Sequence, residues 1–452
     1  MVDVTLNRPL ADAVPRGDAA DTPVVAERSA AVAAGSAHAI PEAVRQAILA
    51  HQADAQDPVA AFFYDLEALA ERARWMMSAL PKGVELFYAI KANSEAPMLK
   101  TLAPLVDGFE LSSGGEIARM RQATQALPWV LSGPGKLDSE MQRAMDEGIE
   151  AFHVESLGEI ARLERLAAAR GEPQCVLLRI NPSLPESLSS RLRMAGTATP
   201  FGIDEAELGA AVAAVEAASH LRLVGFHVHA MSHQRSVHKH KTLLDSYLDR
   251  WPRWRALAEH PASVTQLNVG GGIGVDYQAP SAPGEQFDWP ALCAHLGQRL
   301  EHMDDAPRLR FEIGRFVSAF CGYYVMEVID TKSSHGENFV ICRGGTHQFR
   351  LPAAQGHDHP VVALCRSPAE GRSGAQADAK PAATKRWSVV GQLCTPKDVL
   401  TRAAWLNDPA PGDLLVLPLA GAYGYNISHA DFLCHPRPEQ CFISAPGRVA
   451  IY

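Results

Sequence analysis

Reactive and anion-binding side chains follow several short apolar runs of this sequence. They are Lys91 after YAI, His229 in FHVHAMS, a glycine triplet at 270–272 in LNVGGGIG, and Glu312 and Arg315 in FEIGR. A lysine amine that loses solvent has a lowered pKa and can condense with an aldehyde. Glycines let backbone N–H groups approach a phosphate, and an arginine beside them can donate two hydrogen bonds. With a buried carboxylate added, these groups describe a site for pyridoxal phosphate.

Each of these residues also has an ordinary structural interpretation. Lys91 could cap a strand at the surface, and the glycine triplet could form a simple turn. Arg315 could belong to a surface ion pair, and Glu312 could be a hydrogen-bonded core carboxylate. Taken alone, none of these residues is specific for a cofactor. Their convergence at the ends of successive apolar runs favours a shared site.

The elements that position these residues alternate between strand-like runs and helical stretches. In the helical stretches, such as GGEIARMRQATQAL, apolar residues recur every three or four positions. Eight repeats over roughly 230 residues match a (β/α)8 barrel, in which reactive groups gather at the carboxyl ends of the strands. A doubly wound open sheet also alternates, but usually with fewer strands. The eight runs are residues 85–90, 108–111, 129–132, 151–154, 175–180, 223–228, 266–269 and 308–313.

The pattern changes after Arg315, where strand-like runs follow one another with few convincing helices between them. GYYVMEVIDTK and ENFVICRGG flank SSHG, which is typical of a hairpin turn. The predicted fold is therefore α/β, with an N-terminal segment and barrel over residues 38–313 and a mainly β domain over residues 314–452. Residues 1–37 are expected to be a disordered extension, and residues 367–385 a mobile insertion.

Composition excludes several classes of protein. The chain has 452 residues, of which 47% are hydrophobic and 21% charged, so it can bury a large core. Its net charge of −9 has the wrong sign for a protein that binds a nucleic acid backbone. No apolar run is long enough for a membrane helix, no secretory signal is recognisable, and the eight cysteines form no CxxC pair. We expect a cytoplasmic protein that acts on a small molecule, without a nucleic acid or membrane partner.

A cluster of histidines offers an alternative chemistry. His227, His229, His233, His238 and His240 fall within fourteen residues, and H-x-H at the end of a barrel strand can bind a metal. A metal-dependent hydrolase is therefore a competing interpretation. Against it, this motif lies on the sixth run rather than the first, and no aspartate ends the eighth. We expect no metal, and we expect residues 233–240 to begin a solvated helix.

The same motifs, in their order and spacing, resemble the fold-type III pyridoxal phosphate decarboxylases, which include diaminopimelate, ornithine and arginine decarboxylases. The resemblance covers roughly residues 58–450. It implies an alanine-racemase-like TIM barrel with a C-terminal mainly β barrel domain, pyridoxal 5'-phosphate as cofactor, and a homodimer with the active site at the interface. The motifs that carry it are YAIKANSEAPMLKTL, FELSSGGEI, LRINP, FHVHAMSHQ, LNVGGGIGVDY, FEIGRFVSAFCG, GQLCTPKDVL and GAYGYNISHADFLCHPRP.

The resemblance also implies roles for individual residues. Lys91 would bind the cofactor as an imine, His229 would stack on its ring, and Glu312 would pair with the pyridine nitrogen. Cys394 would reach the neighbouring subunit's site, where either it or Lys91 returns a proton to the product. The implied phosphate contacts are Ser232, Gly271, Gly272, Arg315 and Tyr423, and the acidic residues matched near the cofactor are Glu110 and Glu116.

The sequence departs from the family pattern where the distal end of the substrate would bind. Thr395 follows Cys394, at a position where amino-acid decarboxylases of this type generally carry an acid that binds a distal amine. A neutral hydroxyl cannot pair with that ammonium, so a free distal amine becomes a poor ligand. Asp398 is retained nearby. His347, Gln348 and Arg350 lie where diaminopimelate decarboxylases carry an arginine for a distal carboxylate.

The combination of HQFRLPAAQGH with CTPKD resembles the siderophore-biosynthesis branch of this family. That branch includes a decarboxylase of citryl-2,3-diaminopropionate, an amino acid whose distal end is a citrate amide. The expected function is decarboxylation of this polycarboxylate conjugate to citryl-ethylenediamine. The alternative is decarboxylation of meso-diaminopimelate or another diamino acid. A racemase and a non-catalytic pyridoxal phosphate carrier are further alternatives.

Overall fold

The computed structural model describes residues 40–184, 188, 195–278, 286–364, 384–445 and 448–451. The predicted extension at residues 1–37 lies outside the described residues. So does almost all of the predicted insertion at residues 367–385, whose last residue, Lys385, begins a strand. Within the described ranges, no helix combines the length and the apolar character needed to cross a membrane.

Strands and helices alternate through the first two thirds of the described chain, and strands predominate afterwards. The strands are β1 (Ala60–Asp65), β2 (Val84–Ala89), β3 (Gly108–Leu111), β4 (Trp129–Leu131), β5 (Ala151–Val154), β6 (Gln174–Asn181), β7 (Ile203–Asp204), β8 (Leu221–His227), β9 (Gln266–Asn268), β10 (Arg308–Ile313), β11 (Gly322–Ser334), β12 (Glu337–Cys342), β13 (Val362–Leu364), β14 (Lys385–Val390), β15 (Val399–Leu406), β16 (Leu414–Leu417), β17 (Glu439–Ala445) and β18 (Arg448–Ile451). The α-helices are α1 (Glu42–Asp54), α2 (Leu66–Ser78), α3 (Ala96–Leu102), α4 (Gly114–Ala123), α5 (Asp138–Asp146), α6 (Leu157–Arg170), α7 (Leu208–Glu216), α8 (Val237–Arg255), α9 (Trp289–Glu301), α10 (Arg315–Ser318) and α11 (Leu351–Gln355).

Eight parallel strands form a closed barrel. Their order is β5-β4-β3-β2-β10-β9-β8-β6, and β5 also pairs with β6, which closes the ring. These strands are apolar along most of their length because the barrel interior covers one face and helices cover the other. The barrel prediction is confirmed, and each of the eight predicted runs coincides with one of these strands to within two residues at either end.

Serine caps fix the start of two of the barrel helices directly after their strands. The hydroxyl of Ser113 accepts the N–H of Glu116 at the start of α4, and that of Ser156 accepts the N–H of Glu159 at the start of α6. Gly171, with φ of 73°, ends α6 in the left-handed conformation. Short, capped connections of this kind keep the residues after each strand at one end of the barrel.

The second sheet contains strands from both ends of the chain. Its order is β15-β14-β12-β11-β1-β17-β18, and β16 joins β11 to β13. β1 is antiparallel to β11 and parallel to β17, so the chain enters this sheet before it builds the barrel. The predicted division at residue 313 did not include β1 in the β domain. Among the described residues the strand pairings form a branched, mainly β sheet, as expected for the mainly β domain.

A turn of the β domain holds the end of barrel strand β2. The side-chain amide of Asn426 donates to the carbonyl oxygen of Lys91 (2.6 Å), and the N–H of Tyr423 donates to that of Ala92 (2.8 Å). These bonds tie the 3-10 turn Ile90–Ala92 to the second domain. The fold therefore places residues of both domains around the same barrel mouth.

Candidate active site

A pocket of about 460 Å³ opens at the carboxyl ends of the barrel strands, and we call it the barrel pocket. It collects residues that the sequence places far apart, from the end of β2 to the turn after β16. Of the residues predicted to act in catalysis or cofactor binding, it is lined by Lys91, His229, Ser232, Gly272, Glu312, Arg315 and Tyr423. Gly271 lies next to this set, whereas Cys394 does not line the pocket.

Lys91 forms an ion pair with a carboxylate that also lines the pocket. Its amine donates to Oε2 of Glu110 on β3 over 2.6 Å, and its side chain is 42% exposed. Loss of solvent acts to lower the pKa of Lys91, but the negative charge of Glu110, with contributions from Tyr423 and Glu312, raises it overall. The expectation of a lowered lysine pKa is therefore wrong. The counter-ion that causes this also lies within reach to accept a proton from the amine.

The two acidic residues matched near the cofactor form a linked pair. Glu110 is fully buried, and this burial raises its pKa, with Lys91 acting against the shift. Glu116 accepts the N–H of Ser112 (2.6 Å), and burial, together with the charge of Glu110, raises its pKa to about 7. Glu110 lines the pocket, whereas Glu116 does not.

Glu312 lies on the barrel floor among uncharged partners. Its Oε1 accepts a hydrogen bond from the side-chain amide of Asn268 (2.8 Å). Nδ1 of His153 lies 3.5 Å from Oε1, and Nε2 of His227 lies 3.4 Å from Oε2. Burial lowers the pKa of both histidines far below the ordinary value, so both are neutral at pH 7. A carboxylate in this setting suits a cationic ring nitrogen.

The glycine triplet forms a crowded turn beside His229. The N–H of Gly271 donates to Nδ1 of His229 (3.2 Å), whose pKa is lowered by burial, so this nitrogen is free to accept. A Cβ at Gly271 would collide with the carbonyl oxygen of Glu312, and one at Gly272 with that of Met231. The close approach of three chain segments therefore requires glycine here.

Gly272→Ala tests this crowding. We expect affinity for pyridoxal phosphate to fall by on the order of tenfold, because both the turn and the Met231 segment beside Ser232 must shift. Gly83→Ala is the matched control, since Gly83 has φ of 82° against 86° for Gly272 but open space around it. Both changes introduce roughly 1–2 kcal/mol of backbone strain. Equal cofactor affinity in the two variants, measured by absorbance titration, would contradict the assignment of a phosphate loop.

Arg315 is held at the pocket by aromatic groups. Its Nη1 donates to the hydroxyl of Tyr277 (2.6 Å), and its guanidinium lies 4.4 Å from the ring centroid of Tyr423. Tyr423 has φ of 53°, a left-handed conformation fixed by its hydrogen bond to the Lys91 turn. No carboxylate of the described chain pairs with Arg315, so its charge is available to an anion such as a phosphate.

The histidines after β8 differ from the predicted solvated helix start. Helix α8 begins only at Val237, and His240 is buried, with Nε2 3.1 Å from the carbonyl oxygen of Gln234. His233 lines the barrel pocket and stacks on Tyr277, with ring centroids 6.0 Å apart. The prediction is wrong for these two residues because the Gln234 segment folds back onto the glycine turn.

The predicted substrate residues of the β domain fall into two groups. Asp398 is buried, and its carboxylate accepts hydrogen bonds from Thr346 (2.7 and 2.8 Å) and from the N–H of Leu393 (2.9 Å). The structure thus gives it a structural role in place of the predicted substrate contact. His347 is also buried, which lowers its pKa to about 4. Arg350 and Thr395, by contrast, reach an open cavity.

This β-domain cavity has a volume of about 500 Å³ and a cationic rim. Arg350, Lys397 and His429 are exposed around it. Within the described chain, no carboxylate pairs with any of the three. Its remaining lining is Thr346, Ala353, Ala354, Leu393, Thr395 and Phe432. The cavity is therefore suited to an anionic ligand.

Several residues of the site escaped sequence reasoning. They are Ser132, which directly follows β4, His153 in β5, Arg179 in β6 and Asn268 at the end of β9. The signal they share is a polar side chain within or directly after a barrel strand. A hydrogen-bonded core residue gives the same signal, so the sequence alone does not separate the two cases.

The residues present fit pyridoxal phosphate. The amine of Lys91 suits its aldehyde, and the anionic floor at Glu312 suits its ring nitrogen. The glycine turn, which any Cβ would fill, and the unpaired guanidinium of Arg315 suit its phosphate. His227 also lines the pocket, and within the described chain its two buried ring nitrogens have no hydrogen-bond partner.

Comparison with known proteins identifies the class. Residues 66–319 match the family model of the pyridoxal-binding domain of pyridoxal-dependent decarboxylases. The chain belongs to this family of carboxy-lyases, which favours pyridoxal phosphate chemistry over metal-assisted hydrolysis.

The relatives include decarboxylases that differ in their substrates. The chain is 38% identical to the 2-[(L-alanin-3-ylcarbamoyl)methyl]-2-hydroxybutanedioate decarboxylase of Staphylococcus aureus, covering 86% of this chain and 94% of the relative. It is 27% identical to the diaminopimelate decarboxylase of Bacteroides thetaiotaomicron, covering 84% and 94%. The crystal structure of diaminopimelate decarboxylase from Helicobacter pylori, complexed with L-lysine, shares the fold, with a TM-score of 0.75, 23% identity, and coverage of 89% and 95%.

Proposed function

We propose that this enzyme decarboxylates citryl-2,3-diaminopropionate to citryl-ethylenediamine in siderophore biosynthesis. The observation that carries the proposal is the similarity to the Staphylococcus aureus decarboxylase along nearly its whole length. The substrate in that protein's name is an alanine unit joined through an amide to a hydroxy-dicarboxylate. Such a substrate has no free distal amine, which agrees with Thr395 in place of an acid.

The β-domain cavity supports a polycarboxylate substrate. Arg350 and Lys397 present two cations without partner carboxylates, and Thr395 contributes a hydroxyl. A distal citrate group offers two carboxylates and a hydroxyl to such a surface. The distal end of meso-diaminopimelate would instead bring an ammonium group together with a single carboxylate toward two positive charges, at an energetic cost for the ammonium.

The active enzyme is, in this proposal, a cytoplasmic homodimer. Cys394, Thr395 and Arg350 do not line the barrel pocket of their own chain, although the resemblance assigns all three to the active site. A second copy would bring its β-domain cavity to this pocket. Cys394 is exposed, as a residue that serves a neighbouring subunit must be before assembly.

The residues of the barrel pocket then have separate roles in the reaction. Bound pyridoxal phosphate supplies the electron sink for loss of carbon dioxide. Lys91 would hold it covalently, Glu110 can accept a proton from the lysine amine, and Glu312 holds a negative charge at the barrel floor. His229 would cover one face of the cofactor ring. Either Lys91 or the partner subunit's Cys394 would return a proton to the substrate carbon.

Carbon dioxide release from purified enzyme tests the substrate. We expect turnover of citryl-2,3-diaminopropionate and little or none of meso-diaminopimelate. Release from meso-diaminopimelate alone would reject the proposal in favour of the alternative diamino-acid decarboxylase.

Substitutions in the β-domain cavity should act on substrate binding. Arg350→Gln and Lys397→Gln are each expected to raise KM for citryl-diaminopropionate by on the order of tenfold, because each removes a charge-assisted hydrogen bond. Arg386→Gln is the control and should leave KM unchanged, because the exposed Arg386 side chain on β14 pairs with Glu337 away from the cavity lining. Unchanged KM in both cavity variants would place the citryl group elsewhere.

A further inference from the structure

We propose that His51, Glu439 and Cys441 form a site for a divalent transition metal such as Zn²⁺ between helix α1 and the second sheet. A ring nitrogen, a carboxylate oxygen and the Sγ atom of these residues all lie within 4.8 Å of one another. His51 belongs to α1, and the other two residues belong to strand β17. None of the three lines the barrel pocket, so the inference does not depend on the cofactor or on the substrate.

The fold brings the three side chains together on firmly held elements. Glu439 and Cys441 are two positions apart in β17 and therefore lie on the same face of the sheet. β17 is paired on both sides, with β1 and with β18, which fixes the backbone of this strand. On α1, His51 lies one turn beyond Ala47 and Ile48, and these two are buried in the same apolar cluster as Cys441. The helix therefore turns His51 toward the strand.

The spacing of the ligand atoms suits a tetrahedral ion. Nε2 of His51 lies 3.5 Å from Oε2 of Glu439. Zn²⁺ binds nitrogen, oxygen and sulfur at about 2.0–2.3 Å, which puts two ligands of a tetrahedron about 3.3–3.6 Å apart. The ring of His51 packs edge-on against Phe63, with centroids 5.5 Å apart, and this contact restricts its orientation. The side chain of Glu439 is 57% exposed, so it can adjust to the ion and leave the fourth position to water.

The donor atoms determine which kind of metal fits. Thiolate and imidazole select Zn²⁺ or a similar transition metal, whereas Mg²⁺ and Ca²⁺ prefer oxygen ligands. Burial, together with the charge of Glu439, raises the pKa of Cys441 to about 12, so the thiol keeps its proton until a metal binds. The sulfur–metal bond then replaces the S–H bond, and the proton passes to solvent. One thiolate and one carboxylate balance the two charges of the ion, which suits a partly buried site.

A second group of three such side chains occurs in the described part of the chain, formed by His153, His227 and Glu312. His227 and Glu312 line the barrel pocket, so this group belongs to the cofactor site described above. The site at α1 is separate from it and would have a structural effect. It would join a helix near the start of the described chain to a strand near its end. A metal that binds only the folded protein stabilises that state.

Co²⁺ is the first probe, because its visible absorption reports tetrahedral coordination and bound sulfur. Metal-free holoenzyme without an affinity tag is titrated with Co²⁺ and then with Zn²⁺. We expect one Co²⁺ per chain with the bands of a tetrahedral thiolate site, and loss of these bands when Zn²⁺ displaces it. Saturating Zn²⁺ should also raise the midpoint of thermal unfolding, and an unchanged midpoint would contradict the proposal.

Variants assign the bands to this site. His51→Gln and Glu439→Gln should each weaken Zn²⁺ binding by on the order of 100-fold, and Cys441→Ala should remove the sulfur band. Cys434→Ser changes an exposed thiol outside the cluster and is the matched control, which should bind metal as the wild type does. Should Cys441→Ala fail to fold, the other two variants decide. Absence of Co²⁺ binding in the wild type, or wild-type affinity in both His51→Gln and Glu439→Gln, would overturn the proposal.

Discussion

Lys91→Arg is expected to lower kcat by on the order of 10³-fold or more, as removal of a covalent catalytic group does in other enzymes. A guanidinium retains the positive charge opposite Glu110 but does not form the imine that holds the cofactor. The same change should remove the visible absorbance of the bound aldehyde. Carbon dioxide release and an absorption spectrum measure the two effects.

Lys100→Arg is the matched control for this substitution. Lys100 is exposed near the end of α3, nine residues further along the chain. It should keep wild-type activity and colour. An active, coloured Lys91→Arg variant would mean that another group binds the cofactor.

Glu312→Gln is expected to lower kcat by about 10²–10³-fold while the cofactor still binds. Glutamine keeps the shape of the side chain and an acceptor for the amide of Asn268, but it removes the negative charge at the barrel floor. The neighbouring histidines, His153 and His227, are neutral and do not replace that charge. The measurement is kcat under saturating substrate, together with cofactor content.

An exposed glutamate provides the comparison. Glu337→Gln changes the same side chain on the hairpin strand β12, where it pairs with Arg386 at the surface. We expect no change in kcat there. A Glu312→Gln variant with kcat near that of Glu337→Gln would show that the floor charge does not assist the reaction.

Much of the barrel was predictable because its signals are local. The apolar runs and helix periodicity gave the eight strands, and the position of Lys91 and Glu312 after two of these runs placed them at one end. The residues that support them were not predictable in the same way. His153 is the polar side chain of the otherwise apolar strand β5, and Asn268 ends the short strand β9; neither position reveals its partner.

Long-range contacts explain the remaining differences. Asp398 has the sequence context of a ligand-binding acid, but its partner Thr346 lies 52 positions away and turns it into a structural residue. Desolvation alone predicts a lowered pKa for the Lys91 amine, but the carboxylate of Glu110, which comes from the next strand, raises that pKa. β1 pairs with strands that begin more than 250 residues later in the chain. The sequence around β1 therefore does not indicate that this strand belongs to the β-domain sheet.

Borohydride reduction followed by peptide mass spectrometry tests the central claim most directly. Reduction converts an imine between the cofactor and a lysine into a stable amine. The predicted result is one reduced pyridoxyl phosphate on the peptide that contains Lys91. Two results would contradict the account: a pyridoxyl phosphate on the peptide of Lys136, a buried lysine that lines the same pocket, or no mass increase after incubation with cofactor.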